Sequence, residues 1–254
     1  MKIVVAGGTG RAGTAIVSRL AAQGHEAVAA SPTVGVDVIT GERLADVIAG
    51  ADVVVDATSP PVFDDDVVME FFTTGTRHLL AAERDAGVGH HLAISIVGID
   101  HVPDQGYYRA KVAQEAAIEA GPIPYTILRA TQFFEFLPVI AAVSADGDTV
   151  RLPAALCQPV AVDDVAAVVD ELATGAPTGG RVELAGPEAL GLDAWTRRLF
   201  AATGDERTVI TGGTYFGAKL EGSEQTPGPG ARIGATDFDA WLAAQGLPRP
   251  QPAG

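Results

Sequence analysis

The apolar run Ile3-Val4-Val5-Ala6 passes directly into a turn with glycines at 7, 8, 10 and 13, and a helical pattern begins near Arg11. Strand, glycine turn and helix in that order constrain the fold more than any other feature of the chain. Gly8-x-Gly10-x-x-Gly13 and Gly7-x-x-Gly10-x-x-Gly13 both satisfy spacings suited to a dinucleotide pyrophosphate. Early glycines let the backbone turn and approach the phosphates with no Cβ in the way, and Gly13 lets helix and strand pack closely. The helix amino end then offers free N–H groups and the positive end of its dipole. Gly7, Gly8, Thr9, Gly10, Arg11, Ala12 and Gly13 are therefore candidate cofactor-binding residues.

Strand-like runs recur at 2–6, 26–30, 52–57, 91–97, 123–129 and 181–185, with helical patterns near 11–23, 41–49, 63–87, 107–120 and 162–174. Runs such as Val53-Val54-Val55 and Leu92-Ala93-Ile94-Ser95-Ile96-Val97 are continuously apolar rather than alternating. Burial on both faces explains that pattern, and it marks a parallel sheet covered by helices. Strand–helix alternation predicts an α/β fold, a doubly wound parallel sheet of the Rossmann type. Residues 1–130 read as the dinucleotide-binding core. Residues 131–254 carry the remaining sheet elements interleaved with a small substrate-covering region, within a single structural unit. The segments 131–160 and 187–235, rich in proline and glycine, supply that cover, and the tail Pro248 to Gly254 reads as disordered.

A formal charge of −15 opposes a phosphate-backbone partner, because nucleic-acid affinity needs clustered Lys and Arg. The same field repels an anionic cofactor, so any dinucleotide site must be built from local donors. The chain's single cysteine, Cys157, allows no internal disulfide and lies in an apolar stretch, as a packed side chain would. No stretch approaches the roughly 18 apolar residues of a membrane span. The expectation is a soluble cytoplasmic protein with a small-molecule substrate, no nucleic-acid partner and no membrane. The helix at 63–87 could pair with a second copy in a homodimer.

Only three lysines occur, and Lys111 follows Tyr107 by four residues, one helical turn, on the same face. A free tyrosine has a pKa near 10 and is a poor acid–base catalyst at neutral pH. A neighbouring ammonium stabilises the phenolate and moves that pKa toward working range, and the same lysine can hold ribose hydroxyls. Ser95 stands at the carboxyl end of a buried strand, where ligands sit in this architecture, and could hydrogen-bond a substrate carbonyl oxygen. Ser95, Tyr107 and Lys111 are the candidate catalytic residues. Tyr108, three residues from Lys111, is expected at the pocket wall. Phe133, Phe134 and Phe136 are equally suited to the core or to a wall for a hydrophobic or aromatic substrate.

Cofactor choice turns on the second strand, which ends Ala29-Ala30-Ser31-Pro32 with no carboxylate to accept from a ribose 2′-hydroxyl. Ser31 and Arg11 could donate to a 2′-phosphate, so NADP(H) is favoured over NAD(H), although no second arginine stands at 31–33. No His spacing resembles a metal site. Asp64-Asp65-Asp66 and Asp163-Asp164 fit helix starts, where negative charge is favourable.

These residues together resemble the atypical, NmrA-like branch of the short-chain dehydrogenase/reductase superfamily. The resemblance runs from Gly7–Gly13 through Asp56-Ala57-Thr58, Ser95-Ile96-Val97-Gly98, Tyr107–Lys111 and Leu128-Arg129-Ala130-Thr131 to Pro159-Val160-Ala161-Val162-Asp163-Asp164-Val165-Ala166. It implies that Ala57 and Thr58 border the adenosine, and that Ala130 and Thr131 lie beside the nicotinamide. It also implies NAD(P)-dependent hydride transfer to or from a carbonyl. Some members of that branch bind nucleotide without turnover, and the alternative it implies is a non-catalytic NADP(H) sensor.

Overall fold

A computed structural model of the chain describes residues 1–62, 64–220 and 222–246. The expected disordered tail lies outside the described residues. The strands are β1 (Lys2–Ala6), β2 (Glu26–Ala30), β3 (Val53–Asp56), β4 (His90–Ile96), β5 (Tyr125–Ala130), β6 (Ala145–Asp146), β7 (Thr149–Leu152), β8 (Leu156–Cys157), β9 (Gly180–Ala185), β10 (Leu190–Gly191), β11 (Thr208–Thr211) and β12 (Arg232–Ile233). The helices are α1 (Arg11–Ala22), α2 (Leu44–Ile48), α3 (Asp65–Ala86), α4 (Gly106–Glu119), α5 (Leu137–Val143), α6 (Val162–Thr174), α7 (Leu192–Thr203) and α8 (Phe238–Ala244).

Seven strands form one sheet in the order β12-β9-β5-β4-β3-β1-β2. β1 pairs in parallel with β2 on one side and β3 on the other, with Val5 opposite both Ala29 and Val55. The chain therefore reverses its direction of growth at β1, after β2, and continues through β3 and β4 on the other side. Ligands of open α/β sheets bind outside the carboxyl ends of the strands at such a switch point. The glycine turn follows β1 there, and Ala57 follows β3.

The chain divides into two compact units. The first comprises Met1–Ile96, Gly106–Arg129 and Val165–Val182, and the second Val97–Gln105, Ala130–Asp164 and Glu183–Gly254. In the first, β-branched residues of β1 and β3 are fully buried, and α2 closes one part of the core with Leu44 and Ile48 against Val36, Val38 and Leu79. α3 starts where the aspartates foretell: Asp64 accepts from the N–H groups of Asp66 and Val67. Asp163 and Asp164 lie in the first turn of α6, where negative charge is favourable. The first N–H of α6, on Val162, is met by Glu135, while Asp164 accepts from the backbone and hydroxyl of Thr236.

The second unit is built on aromatics. Phe134, Trp195, Phe238 and Trp241 meet with ring centroids 5.3–5.6 Å apart. Trp195 Nε1 donates to the carbonyl of Cys157 at 2.9 Å, satisfying a donor that burial would otherwise strand. Burial pushes the Cys157 thiol up to about 12, so the thiolate is absent at neutral pH. The same unit holds a three-stranded sheet in the order β11-β7-β6 and the β8–β10 pair.

Candidate functional site

Close approach explains the glycine turn. Gly7 has φ +76°, and a Cβ there would stand 2.4 Å from the carbonyl oxygen of Ala57. On Gly13 it would meet the Gly7 carbonyl oxygen at 2.1 Å. The turn is thus folded tightly onto the ends of β1 and β3, with Gly10 at the N-cap of α1. That cap makes no side-chain hydrogen bond, and the first turn of α1 carries no acid. α3, by contrast, is capped by Asp64 and carries Asp65 and Asp66 in its first turn. Uncapped N–H donors at the dipole's positive end fit a pyrophosphate, and the residues present fit a dinucleotide. Arg11 is exposed and Ala12 half-buried at that end.

Beside the turn three hydroxyls form a closed triangle. Thr9 Oγ1 lies 2.8 Å from Ser31 Oγ and 3.0 Å from Thr33 Oγ1, and Ser31 and Thr33 are 2.8 Å apart. On the β3 side, Thr58 donates through its N–H (3.0 Å) and its hydroxyl (2.6 Å) to one oxygen of Asp56.

α4 places Tyr107 and Lys111 on one face, and both meet Phe72 of α3. The Tyr107 ring stands edge-on to Phe72 at 5.4 Å, and Lys111 Nζ lies 4.5 Å from the same ring's centroid. Lys111 is 3% exposed; its ammonium donates to the Ile94 carbonyl at 2.8 Å and to Gln114 Oε1. Gln114 Nε2 in turn donates to the second oxygen of Asp56 at 2.9 Å. Only one orientation of that amide gives the ammonium an acceptor and the carboxylate a donor. The result is a continuous chain from Thr58 through Asp56 and Gln114 to Lys111. Burial lowers the Lys111 pKa to about 8 against the opposing charges of Asp56 and Glu115.

Tyr107 departs from the expected downward shift. Burial holds its phenol above the ordinary tyrosine range; a hydrogen bond with Ser59 works in the opposite direction and the Asp56 charge adds to the rise. Ser95 is buried in β4, 2% exposed, and its hydroxyl has no hydrogen-bond partner. Its neighbour Ile94 is the residue that anchors Lys111.

The remaining candidates divide between surface and core. Ala57 and Thr58 are half-buried at the end of β3. Ala130 is buried and its carbonyl accepts from Val97 N, while the Thr131 hydroxyl donates to the Gln158 carbonyl at 2.6 Å. Tyr108 is 2% exposed and Phe134 fully buried, so both pack in the core rather than at a wall, and Phe133 remains half-buried. Phe72, Ser59, Asp56 and Gln114 have direct contacts with the Tyr–Lys pair or its chain, and the motif alone does not reveal them. The Lys111-to-Gln114 spacing of three was the available signal for one of them.

A family model described as NAD(P)H-binding matches residues 7–175. No curated protein sequence matches the chain. Among solved structures, dTDP-4-dehydrorhamnose reductase from Bacillus anthracis, in complex with NADP, aligns with a TM-score of 0.71 and 15% identity, over 97% of this chain and 94% of that one. A short-chain dehydrogenase/reductase superfamily protein from Agrobacterium tumefaciens with bound NAD gives 0.71 and 19%, over 95% of each chain. The NADPH-dependent quinone oxidoreductase of Escherichia coli, complexed with NADPH, gives 0.64 and 20%, over 97% and 83%. These likenesses establish a shared fold.

Proposed function

The chain belongs to the NAD(P)H-binding family, and from that premise we propose that it is an NAD(P)-dependent oxidoreductase interconverting a carbonyl and an alcohol on a small organic substrate. The observation that carries this reading is the pairing of Tyr107 and Lys111 on Phe72, in the same unit as the glycine turn. The bound reduced dinucleotide supplies the hydride. Ser95, whose buried hydroxyl has no partner, donates to the substrate oxygen and fixes its position. Tyr107 delivers the proton that completes the alcohol. Its raised pKa keeps it protonated and ready as an acid at neutral pH, and Lys111 stabilises the phenolate left behind. With its ammonium donating to Ile94 and Gln114, Lys111 acts here through charge rather than as a ribose ligand.

The test is Tyr107→Phe. Dinucleotide affinity should stay within about twofold while carbonyl turnover falls by 10² or more, in keeping with loss of a general acid. Undiminished turnover would sink the mechanism. The second reading, a nucleotide sensor without chemistry, is favoured by the bond between Tyr107 and Ser59 and by the raised phenol pKa. It predicts dinucleotide binding with no oxidation of the reduced form by any member of a carbonyl panel.

A further inference from the structure

We propose that Asp56, acting through the fixed amide of Gln114, holds Lys111 as a stationary ammonium, so that Asp56 and Gln114 are positioning residues of the site. The inference rests on the charge-stabilising role given to Lys111 above and names the residues that sustain it.

The three groups are almost out of reach of water: Asp56 is 2% exposed, Gln114 1% and Lys111 3%. A buried charge persists only when it is paired or hydrogen-bonded. Yet among the described residues this carboxylate and this ammonium make no direct ion pair. One Asp56 oxygen takes both donors of Thr58, and the other takes Gln114 Nε2 at 2.9 Å. The ammonium reaches the Ile94 carbonyl at 2.8 Å and Gln114 Oε1. A single amide therefore stands between the two charges.

The direction of that amide is dictated from the β3 end. An ionised carboxylate accepts and never donates, so Asp56 draws the NH2 of Gln114 and turns its carbonyl oxygen onto Lys111. The other charges near the lysine are already matched. Glu115 of α4 is shared by Arg129 (2.6 Å) and Arg181 (2.9 Å), and His91 of β4 is bonded to Glu83 of α3 at 2.8 Å. Phe72 adds only the face of its ring, 4.5 Å from Nζ. Asp56 is thus the carboxylate left for Lys111, and its charge is the larger of the two that oppose the effect of burial on the ammonium. Because Ile94 immediately precedes Ser95, the anchored ammonium also ties α4 to the strand end that carries that hydroxyl.

The chain's three lysines make the test direct. Protein labelled with 13C at lysine Cε is titrated with base and followed by NMR, with no turnover required. The Lys111 resonance is identified by its loss in Lys111→Met, and Lys2 and Lys219 serve as internal references. In the wild type Lys111 should titrate at about pH 8. Asp56→Asn removes the charge and, having an NH2 of its own to place, turns the Gln114 amide so that Nε2 faces the ammonium. The Lys111 midpoint should then fall by about one pH unit or more. Gln114→Met, which loses both bonds, should move it the same way. The double variant Asp56→Asn/Gln114→Glu exchanges carboxylate and amide, so that the carboxylate beside Lys111 accepts from both neighbours. Its midpoint should return to the wild-type value or rise above it, a rescue that misfolding cannot produce. An unchanged midpoint in Asp56→Asn, or a double variant that titrates no higher than Asp56→Asn, overturns the proposal and leaves the oxidoreductase reading intact. Midpoints that move as expected in a protein that turns over no carbonyl uphold the proposal and overturn that reading instead.

Discussion

At Gly13 the space left for a side chain is smaller than a methyl group, because the obstructing atom is the backbone oxygen of Gly7. Gly13→Ala must therefore displace the turn from α1. The expected result is loss of about 1–3 kcal/mol of stability in urea titration, as for overpacking in a core, with dinucleotide affinity reduced about tenfold or more. Lys111 gives a prediction of a different kind. Its folded pKa, about 8, lies below the 10.5 of the free side chain, so between those values the unfolded chain holds the extra proton. Stability from this group is lowest below pH 8 and rises as pH climbs toward 10.5. Lys111→Met removes that rise. The stability of wild type relative to the variant should increase by up to about 3 kcal/mol between pH 7 and pH 10, and a flat difference would contradict the burial cost assigned to the ammonium. That the turn after β1 demands glycine at 7 and 13 was legible from spacing alone. Asp56 and Gln114 were not, because a hydrogen-bond chain linking a strand end to a helix face leaves no periodic trace in the sequence.

Whole elements were read best where burial is symmetrical. β1 to β5 and β9 lie within two residues of their expected limits, because continuous Val, Ile and Ala runs have few alternatives to a doubly covered strand. α7 was the principal omission, concealed in a segment read as covering loop because of its glycines and prolines. Leu192, Trp195, Leu199 and Phe200 in fact repeat at helical spacing and are all buried. Gly191 and Gly204 sit at its two ends rather than inside it. Trp195 anchors the element, fully buried against Phe134 and Phe238 and bonded to Cys157. Trp195→Ala should cost about 3–5 kcal/mol in denaturant unfolding, and a loss under 1 kcal/mol would show that the aromatic cluster does not hold α7 in place. β12, two residues long, was missed because so short a run carries no pattern.

For the molecule as a whole, family and sheet type were legible from motifs and alternation, and the membership and the seven-stranded parallel sheet bear both out. A linear boundary at residue 130 is less informative than the interleaving the fold displays, for the chain re-enters the first unit at Val165 and supplies residues through Val182. That returning segment brings Asp170 to Arg19 and His25, and Arg181 to Glu115 and Glu119. A fragment ending at Ala130 leaves Glu115 and Arg129 buried without Arg181 and removes α6. It should show no cooperative thermal transition by circular dichroism; a sharp melt would mean the first 130 residues fold without the returning segment.

Cys157 makes the second unit its own stopwatch. A fully enclosed thiol with its proton held tight reacts with an alkylating reagent only when the surroundings part, and no other sulfhydryl in the chain competes for the label. The pace of modification, followed by mass spectrometry without any engineered probe, thus counts the openings of the aromatic core one molecule at a time.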